Sequence, residues 1–207
     1  HVEVVLKFES YFYFGLGIIK KRCVVLRIIA GKCKGLNIVF SKDKKQVRPT
    51  QDRVREALFS IIQSKVVDAN FLDLFCGSGG VGLEALSRDA NEVVFVDSRP
   101  EFLQKNLVLI KDDKLKDKVS VIKGNVLKYI KYSENKFDII FLDPPWDKPQ
   151  LYVDSLKAIS EFDILMADGL VICEHEKKYE IKSQFGLKID ATYNYGGTVI
   201  SILTKEK

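Results

Sequence analysis

The sequence predicts an α/β fold built on a mostly parallel β-sheet. From residue 71 onward, short apolar runs alternate with amphipathic helical stretches, and such alternation is typical of a parallel sheet with helices on both faces. Near the carboxyl end, the turn Tyr195-Gly196-Gly197 separates two β-like runs, 188–192 and 198–203. These runs predict an antiparallel hairpin that closes one edge of the sheet.

Length and composition predict one globular domain with a small appendage. The chain has 207 residues, of which 46% are apolar and 29% are charged. We interpret residues 1–25 as an N-terminal extension without an assignable role and residues 26–207 as a single domain. Within that domain, 26–47 form the appendage and 48–207 the core.

Two classes of protein are disfavoured by simple patterns. No stretch reaches the roughly 18 uninterrupted apolar residues that a membrane span requires, so no membrane association is expected. The four cysteines show neither metal-ligand spacing nor the density of a disulfide framework. We therefore expect reduced thiols, no metal site and a cytoplasmic location.

The appendage and the first helix precede the sheet. The runs 26–30 and 36–40 lie around Gly31 and Gly35 and predict a β-hairpin. Arg48-Pro49-Thr50 then predicts the start of a helix, because proline fixes the approach and Thr50 can cap the first turn. The apolar stripe of this helix comprises Val54, Leu58, Ile61 and Ile62.

The core alternates five strands and four helices. Buried-type apolar runs predict strands at 71–75, 93–96, 119–122, 137–142 and 170–173. The helical stretches between them lie near 81–88, 100–111, 126–131 and 150–160.

A glycine-rich turn follows the first strand of the core. Gly77, Gly79 and Gly82 form a G-x-G-x-x-G pattern, which permits a tight turn and a close approach of a ligand to the backbone. Asp97, at the end of the second strand, is placed to accept hydrogen bonds from ribose hydroxyls. Together these residues predict a nucleoside-binding site.

Two cofactor classes fit this site, a dinucleotide or S-adenosylmethionine. Asp73, at the end of the first strand, favours S-adenosylmethionine, because a carboxylate repels a pyrophosphate but attracts a sulfonium and an ammonium group. The alternative is that Asp73 only caps the loop. Asn125, after the third strand, is placed to contact the adenine ring, although a simple turn residue is nearly as good an interpretation.

The segment Asp143-Pro144-Pro145-Trp146 follows the strand at 137–142 and is expected beside the cofactor. An exocyclic base amine is a poor nucleophile because its lone pair is delocalised into the ring. The Asp143 carboxylate and the Pro144 carbonyl can each accept an N–H and free that lone pair. Trp146 offers a face for a flipped base. The alternative is a rigid turn with a core tryptophan.

The charge is unevenly distributed along the chain. Residues 20–65 contain thirteen Lys and Arg against three Asp and Glu, whereas the whole chain carries +5. A basic front end on a slightly acidic body predicts a surface that faces a polyanion. The alternative is a solvated charged face.

These motifs together resemble one family, the RsmD-type methyltransferases, which make N2-methylguanosine in bacterial small-subunit (16S) rRNA. The resemblance extends from about residue 26 to 203. Its hallmarks are the segments at 27–35, 48–59, 71–79 and 82–88, the Asp143-Pro144-Pro145 motif, and Tyr195-Gly196 before a hydrophobic strand.

The resemblance implies a Rossmann-like class I S-adenosylmethionine-dependent methyltransferase fold with a seven-stranded, mostly parallel sheet. It implies a catalytic loop made of Asp143, Pro144, Pro145 and Trp146. It implies a cofactor site made of Asp73, Phe75, Gly77, Ser78, Gly79, Gly82, Asp97, Ser98, Asn125 and Val126. It implies RNA contacts from Arg27, Lys32, Lys34, Arg48, Thr50, Arg53 and Arg55, for whose arginines helix capping and salt bridging are an equal alternative.

Two positions depart from the family pattern. The family usually has Tyr or Phe where this chain has Trp146, which preserves stacking but changes the shape of the pocket. The adenine-contact position is usually Asp, and Asn125 can accept a hydrogen bond only through its amide oxygen.

The leading hypothesis is methylation of a guanine N2 in 16S rRNA, within a small-subunit assembly intermediate and by a monomer. The alternatives are an N6-adenine DNA methyltransferase, a non-catalytic rRNA-binding assembly factor and, less favoured, a nicotinamide dehydrogenase. We expect His175 to be structural, because methyl transfer to an amine does not require it.

Overall fold

The computed structural model describes residues 23–41 and 52–206. The first two strands, β1 (Cys23–Arg27) and β2 (Asn37–Ser41), pair antiparallel as a separate two-stranded sheet. This observation confirms the expected N-terminal β-hairpin. The beginning of the helix at 48–51 lies outside the described residues.

The remaining strands form one seven-stranded sheet in the order β5-β4-β3-β6-β7-β9-β8. Pairing is parallel from β5 to β7, whereas β9 runs antiparallel to both β7 and β8. This topology confirms the mostly parallel sheet with a carboxyl-terminal antiparallel hairpin. The strands are β3 (Asn70–Leu74), β4 (Glu92–Asp97), β5 (Val119–Lys123), β6 (Phe137–Leu142), β7 (Leu165–Glu176), β8 (Leu187–Tyr195) and β9 (Thr198–Lys205).

Helices cover both faces of the sheet, and two apolar clusters fill the space between helices and strands. Alternate residues of β3 divide between the clusters, since Phe71 belongs to the first cluster and Leu72 to the second. The first cluster lies beneath α1, α3 and α4, and the second lies beneath α6 and α7. The helices are α1 (Asp52–Ile61), α2 (Gln63–Val66), α3 (Gly80–Ser87), α4 (Glu101–Leu107), α5 (Asp113–Lys116), α6 (Val126–Tyr132) and α7 (Gln150–Glu161).

Several boundaries differ from the expected ones. The first strand ends at Arg27 rather than at residue 30, because the next amides bond elsewhere: Ile29 N and Ala30 N donate to the carboxylate of Glu84, at 2.8 and 3.0 Å. Helix α4 ends at Leu107, four residues early. Strand β7 is longer than expected because it includes a bulge at 166–169, where the register with β6 shifts.

The β-hairpin docks on α3 and α4 through buried polar contacts. Ser87 Oγ accepts a hydrogen bond from Cys33 N at 2.8 Å, and Asn106 bonds both the amide (2.8 Å) and the carbonyl (3.0 Å) of Val39. Gly31 adopts a φ of +81°, and a Cβ there would lie 1.8 Å from the Ser87 carbonyl oxygen. Only glycine allows this approach.

Among the helices of the described residues, none is both long and apolar enough to cross a membrane.

Candidate functional site

Four carboxylates gather at the carboxyl ends of the parallel strands. Asp73 lies in β3, Asp97 ends β4, Asp143 follows β6 and Glu174 lies near the end of β7. The strands are in register there: Leu142 of β6 pairs with Leu74 on one side and Cys173 on the other. Ligand sites of open α/β sheets form at this edge, so the expected site residues meet where the topology requires.

The glycine turn connects β3 to α3 without space for side chains. Gly79 precedes α3 with a φ of +79°, and a Cβ there would lie 2.5 Å from Leu103 Cδ1. A Cβ on Gly82 would lie 2.3 Å from Phe95 Cε1 and 2.9 Å from Asp73 Oδ2. The turn therefore brings the backbone itself to the strand ends.

Asp97 holds this turn from the neighbouring strand. Its Oδ2 accepts a hydrogen bond from Gly77 N at 2.9 Å, and its Oδ1 accepts one from Arg99 N at 2.7 Å. The side chain stays partly exposed. Each carboxylate oxygen can accept a further bond, so Asp97 can still receive ribose hydroxyls.

Asp73 is buried under the glycine turn, where its Oδ2 accepts a hydrogen bond from Gly82 N at 2.9 Å. Burial raises the pKa of Asp73 to about 7, although the Gly82 bond opposes this shift, and repulsion from Asp97 and Glu174 adds to it. A nearby positive charge would stabilise the ionised form of this carboxyl group. The site therefore favours a cationic ligand.

Asp143 begins the loop that follows β6, and its amide donates to the Leu74 carbonyl of β3 at 3.5 Å. Burial raises its pKa well above the usual range, as do Glu174 and Asp73, while a hydrogen bond from the side chain of Trp146 opposes the shift. The indole N–H of Trp146 is the donor of that bond. Trp146 thus fixes the orientation of the Asp143 carboxylate, a role that the sequence did not predict.

Glu174 is a site residue that the sequence analysis missed. Alternation along β7 places it on the same side of the sheet as Ile172, whose cluster also contains Phe71 and Phe141. Asp73 and Asp143 lie two residues after these phenylalanines and share that side. The signal was present in the sequence, since an apolar strand that ends in Glu174 places a carboxylate at the active edge.

The donor set fits a cationic cofactor better than an anionic one. Asp97 and Asp73 accept hydrogen bonds from the glycine turn, and Glu174 acts electrostatically on both Asp73 and Asp143. A pyrophosphate beside this group of carboxylates would be repelled. A sulfonium and an α-ammonium group would relieve the repulsion, and Asp97 would serve a ribose. The residues present therefore fit S-adenosylmethionine.

The comparisons with known proteins agree with this geometry. The family model described as Conserved hypothetical protein 95 matches residues 26–204. Several relatives carry the name ribosomal RNA small subunit methyltransferase D. The Haemophilus influenzae protein is 34% identical over 157 residues, 73% of this chain and 79% of its own length. The Escherichia coli K12 protein is 32% identical over 154 residues, 73% of this chain and 75% of its own.

The chain belongs to this family. Solved structures support the assignment, including a Haemophilus influenzae protein described as a methylase. It has a TM-score of 0.72 and 28% identity, and the match covers 89% of this chain and 100% of that one. The resemblance to RsmD-type enzymes is thereby confirmed, as is the Rossmann-like methyltransferase fold.

Several of the residues expected in the cofactor site have structural roles. Ser78 is buried and its carbonyl accepts from Asn106 Nδ2 at 2.9 Å. Val126 packs in the second apolar cluster, so a cofactor contact would have to come from its main chain. Asn125 caps α6 by accepting from Lys128 N at 3.0 Å, which matches the alternative interpretation as a turn residue. Phe75 has a φ of +62°, a strained conformation for a non-glycine residue at a strand end.

The expected RNA contact of Arg55 is wrong. Arg55 has a relative exposure of 0% and pairs with Asp52 at 2.9 Å and with Glu84 at 3.6 Å. A guanidinium enclosed in this way cannot reach a phosphate, so Arg55 joins α1 to the hairpin and α3. Its NH2 group also donates to the Arg27 carbonyl.

The other predicted RNA contacts separate into two groups. Arg48 and Thr50 lie outside the described residues. The side chains of Arg27, Lys32, Lys34 and Arg53 are exposed on the hairpin and α1, and Lys32 lies 2.5 Å from Asp89. Their accessibility is compatible with phosphate contacts.

His175 is buried in β7, where Nε2 lies 2.8 Å from Ser201 Oγ and Nδ1 lies 3.1 Å from the Glu176 carbonyl. The carbonyl requires a proton on Nδ1, so the Ser201 hydroxyl donates to Nε2. Burial lowers the pKa of His175 and keeps the ring neutral. This placement agrees with the structural role that we expected. Within residues 23–41 and 52–206, no cluster of His, Cys, Asp and Glu could hold a metal.

Proposed function

We propose that this protein transfers a methyl group from S-adenosylmethionine to the exocyclic N2 of a guanine in small-subunit (16S) rRNA. The observation that carries the proposal is the Asp143 carboxylate, fixed by Trp146 at the tip of β6 and beside Asp73. Family relatives named ribosomal RNA small subunit methyltransferase D support the choice of RNA.

Different residues of the cofactor site would bind different parts of the cofactor. When bound, S-adenosylmethionine supplies an activated methyl group on a sulfonium. Asp73 and the glycine turn would hold the amino-acid end, and Asp97 would hold the ribose. The adenine ring would contact the segment that contains Asn125 and Val126. Phe75 and Ser98, next to the strand ends, would complete the site.

Asp143 and Pro144 act on the acceptor. The amine lone pair of guanine N2 is delocalised into the ring, which makes the group a weak nucleophile. Acceptors for both N–H bonds, the Asp143 carboxylate and the Pro144 carbonyl, concentrate electron density on the nitrogen. Because Pro144 and Pro145 stiffen the loop, these acceptors need little reorganisation in the transition state. Asp143 can take the proton that the product amine releases.

Glu174 favours guanine over adenine as the acceptor. The Watson–Crick edge of guanine presents an N1–H donor beside N2, whereas adenine presents an N1 acceptor beside N6. A second carboxylate next to Asp143 can accept from guanine N1–H but repels the lone pair of adenine N1. This difference supports N2 of guanine and argues against the alternative of N6-adenine methylation.

The basic surface supplies the polyanion contacts. Arg27, Lys32, Lys34 and Arg53 would bind phosphates and position the RNA without reading its sequence. The residues at 48–50 would extend this surface. We propose that the substrate is 16S rRNA within an assembly intermediate in the cytoplasm and that the protein acts as a monomer.

The test is the activity of Asp143→Ala on 16S rRNA, both deproteinised and subunit-bound, followed by mass analysis of the modified nucleosides. We expect N2-methylguanosine with the unaltered protein and almost none with the variant. Unchanged methylation in the variant would refute the catalytic role of Asp143. N6-methyladenine as the product would favour the alternative enzyme, and an absence of S-adenosylmethionine binding by calorimetry would favour a non-catalytic assembly factor.

A further inference from the structure

A small cavity of about 260 Å³ lies beside the segment that follows Asp143. Its lining comprises Trp146, Pro149, Tyr152, Glu176, Lys178 and Tyr179. Neither Asp143 nor the glycine turn contributes to this lining, so the cavity is distinct from the cofactor site. We propose that it holds the base of an RNA nucleotide adjacent to the methylated one. This proposal rests on the proposed function.

The size and the walls of the cavity suit one nucleobase. Pockets for whole cofactors usually enclose about 300–1,000 Å³, so this smaller cavity fits a single ring system. The rings of Tyr152 and Tyr179 are stacked, with centroids 5.2 Å apart and an interplanar angle of 25°. Tyr152 is 1% exposed, so the rings that a base can reach are those of Tyr179 and Trp146. Aromatic faces bind any base by stacking, which is how proteins hold single-stranded RNA.

The aromatic wall is fixed before RNA arrives. Tyr152 is buried, and its hydroxyl donates to the Glu174 carbonyl at 2.5 Å. His175 packs edge-on against both tyrosines, with centroid distances of 6.2 and 6.1 Å. The amide of Tyr179 donates to the Glu176 carbonyl at 2.9 Å and holds the turn after β7. A wall that is already ordered loses little conformational entropy when a base binds.

The charges at the cavity also match a nucleotide. Lys178 is 77% exposed and lies 2.8 Å from the carboxylate of Glu176. The lysine can contact a backbone phosphate, and the carboxylate can accept an N–H from a base edge. An aromatic slot with both charges on its rim is a better match for a nucleotide than for a purely apolar ligand.

Trp146 connects the cavity to the catalytic loop. Its indole N–H bonds Asp143 while the residue also lines the cavity, so one side chain connects the two sites. Because Asp143 is not part of the lining, the cavity is assigned to a nucleotide next to the one whose amine bonds Asp143. Binding of that nucleotide would add affinity for the RNA.

The main test uses Tyr179→Ala and, for comparison, Tyr179→Phe. Trp146 is the only tryptophan of the chain, so its fluorescence reports stacking when a short single-stranded RNA of mixed sequence is added. Stacking is worth about 1–3 kcal/mol per base, so Tyr179→Ala should weaken RNA binding and raise KM for 16S rRNA by roughly 5- to 150-fold. We expect kcat and S-adenosylmethionine affinity to stay the same, because uniform binding affects KM alone. Tyr179→Phe retains the ring and should restore binding.

A second test uses Lys178→Ala, with Lys116→Ala as its matched control. Lys116 is also exposed and also lies 2.8 Å from a carboxylate, that of Asp113, but it is in α5 near the opposite edge of the sheet. Loss of one phosphate contact should reduce the salt dependence of RNA affinity by about 0.7 in log–log slope. The control should show no reduction.

The outcomes separate this proposal from the proposed function. Unchanged KM and unchanged Trp146 quenching in Tyr179→Ala would overturn the cavity proposal while methylation persists. A loss of kcat at constant KM would also overturn it, because the cavity would then hold the reacting base. The expected binding defects without any methylated guanine would support the cavity and refute the proposed function.

Discussion

The molecule buries charged groups in two places, and it treats them in opposite ways. At the interface between the β-hairpin and α3, Glu84 accepts from two backbone amides and from Arg88 Nε at 2.8 Å, and it also pairs with Arg55. At the carboxyl edge of the sheet, burial and neighbouring carboxylates raise the pKa of two groups, Asp73 (through Asp97 and Glu174) and Asp143 (through Glu174 and Asp73). Within the described residues, neither of these two carboxylates has a cation at ion-pair distance.

This difference distinguishes a structural role from a ligand-binding role. A buried carboxylate such as Glu84, which accepts from two amides and faces two guanidinium groups, stabilises one arrangement of the chain, and the loss of a partner costs stability. Buried carboxylates that repel one another store an unfavourable energy that a cationic ligand can relieve. Charge removal should therefore destabilise the fold at the hairpin interface but impair function at the sheet edge.

The largest expected effect on stability comes from Glu84→Gln. The variant keeps the shape of the side chain but removes the buried carboxylate that Arg55 faces, so that the exposed Asp52 is left to neutralise the guanidinium. Removal of one partner of a buried pair typically costs about 3–5 kcal/mol of unfolding free energy. Urea denaturation of both proteins measures this loss.

The matched control is Glu101→Gln, which breaks an exposed pair with Lys123 at 3.2 Å. We expect almost no change in the denaturation midpoint, since exposed pairs contribute little. Equal effects of the two variants would show that the Glu84 network does not stabilise the hairpin.

The next effect is that of Asp143→Asn, which should impair catalysis without destabilising the fold. An amide keeps an oxygen that can accept from the Trp146 N–H. It lacks the negative charge that increases electron density on the substrate amine. By analogy with the loss of a fixed electrostatic partner in other enzymes, kcat should fall by about 10²–10³-fold. The melting temperature at neutral pH should stay the same or rise, because the raised pKa shows that the ionised form is unfavourable in the folded protein. A lower melting temperature with normal kcat would contradict the comparison.

The sequence predicted the residues at the carboxyl edge of the sheet better than the contacts between the hairpin and α3. Asp73, Asp97 and Asp143 end or follow apolar strands, and parallel topology brings strand ends together whatever the details of packing. The partners of Arg55 could not be predicted, because Glu84 is 29 residues away along the chain and looks like an ordinary helix residue. Glu174 was missed although it follows the predicted strand at 170–173, because its place beside Asp143 depends on β7 lying next to β6. Local motifs predict sites at strand ends, whereas long-range pairing needs the fold.

A smaller effect should appear in the pH dependence of cofactor binding. Asp73 has a pKa raised to about 7, so the folded protein retains this proton below that pH. A cationic ligand prefers the ionised form, so S-adenosylmethionine affinity should rise by up to tenfold per pH unit below about pH 7 and level off above it. In the free protein, stability should instead fall as pH rises from about 4 to 7, because the unfolded chain releases the proton first.

Calorimetry with S-adenosylmethionine at several pH values measures the affinity, and Asp73→Asn should flatten its profile. Asp143→Asn serves as the comparison, since Asp143 also has a raised pKa and could contribute to the same dependence. An unchanged profile in Asp73→Asn would assign the titration to another carboxyl group, and Asp143 would be the first to examine.

The smallest expected effect separates the two interpretations of Asn125. Its side chain caps α6 through Lys128 N, so Asn125→Ala should cost about 0.5–2 kcal/mol of unfolding free energy. Asn125→Asp keeps the cap and restores the acidic residue that is usual in the family at this position. If the residue contacts adenine, Asn125→Asp should bind S-adenosylmethionine more tightly, while Asn125→Ala should weaken binding at a pH where both variants are fully folded. If Asn125 only caps the helix, both variants should bind the cofactor equally and differ in stability alone, and the adenine contact would then have to come from other residues.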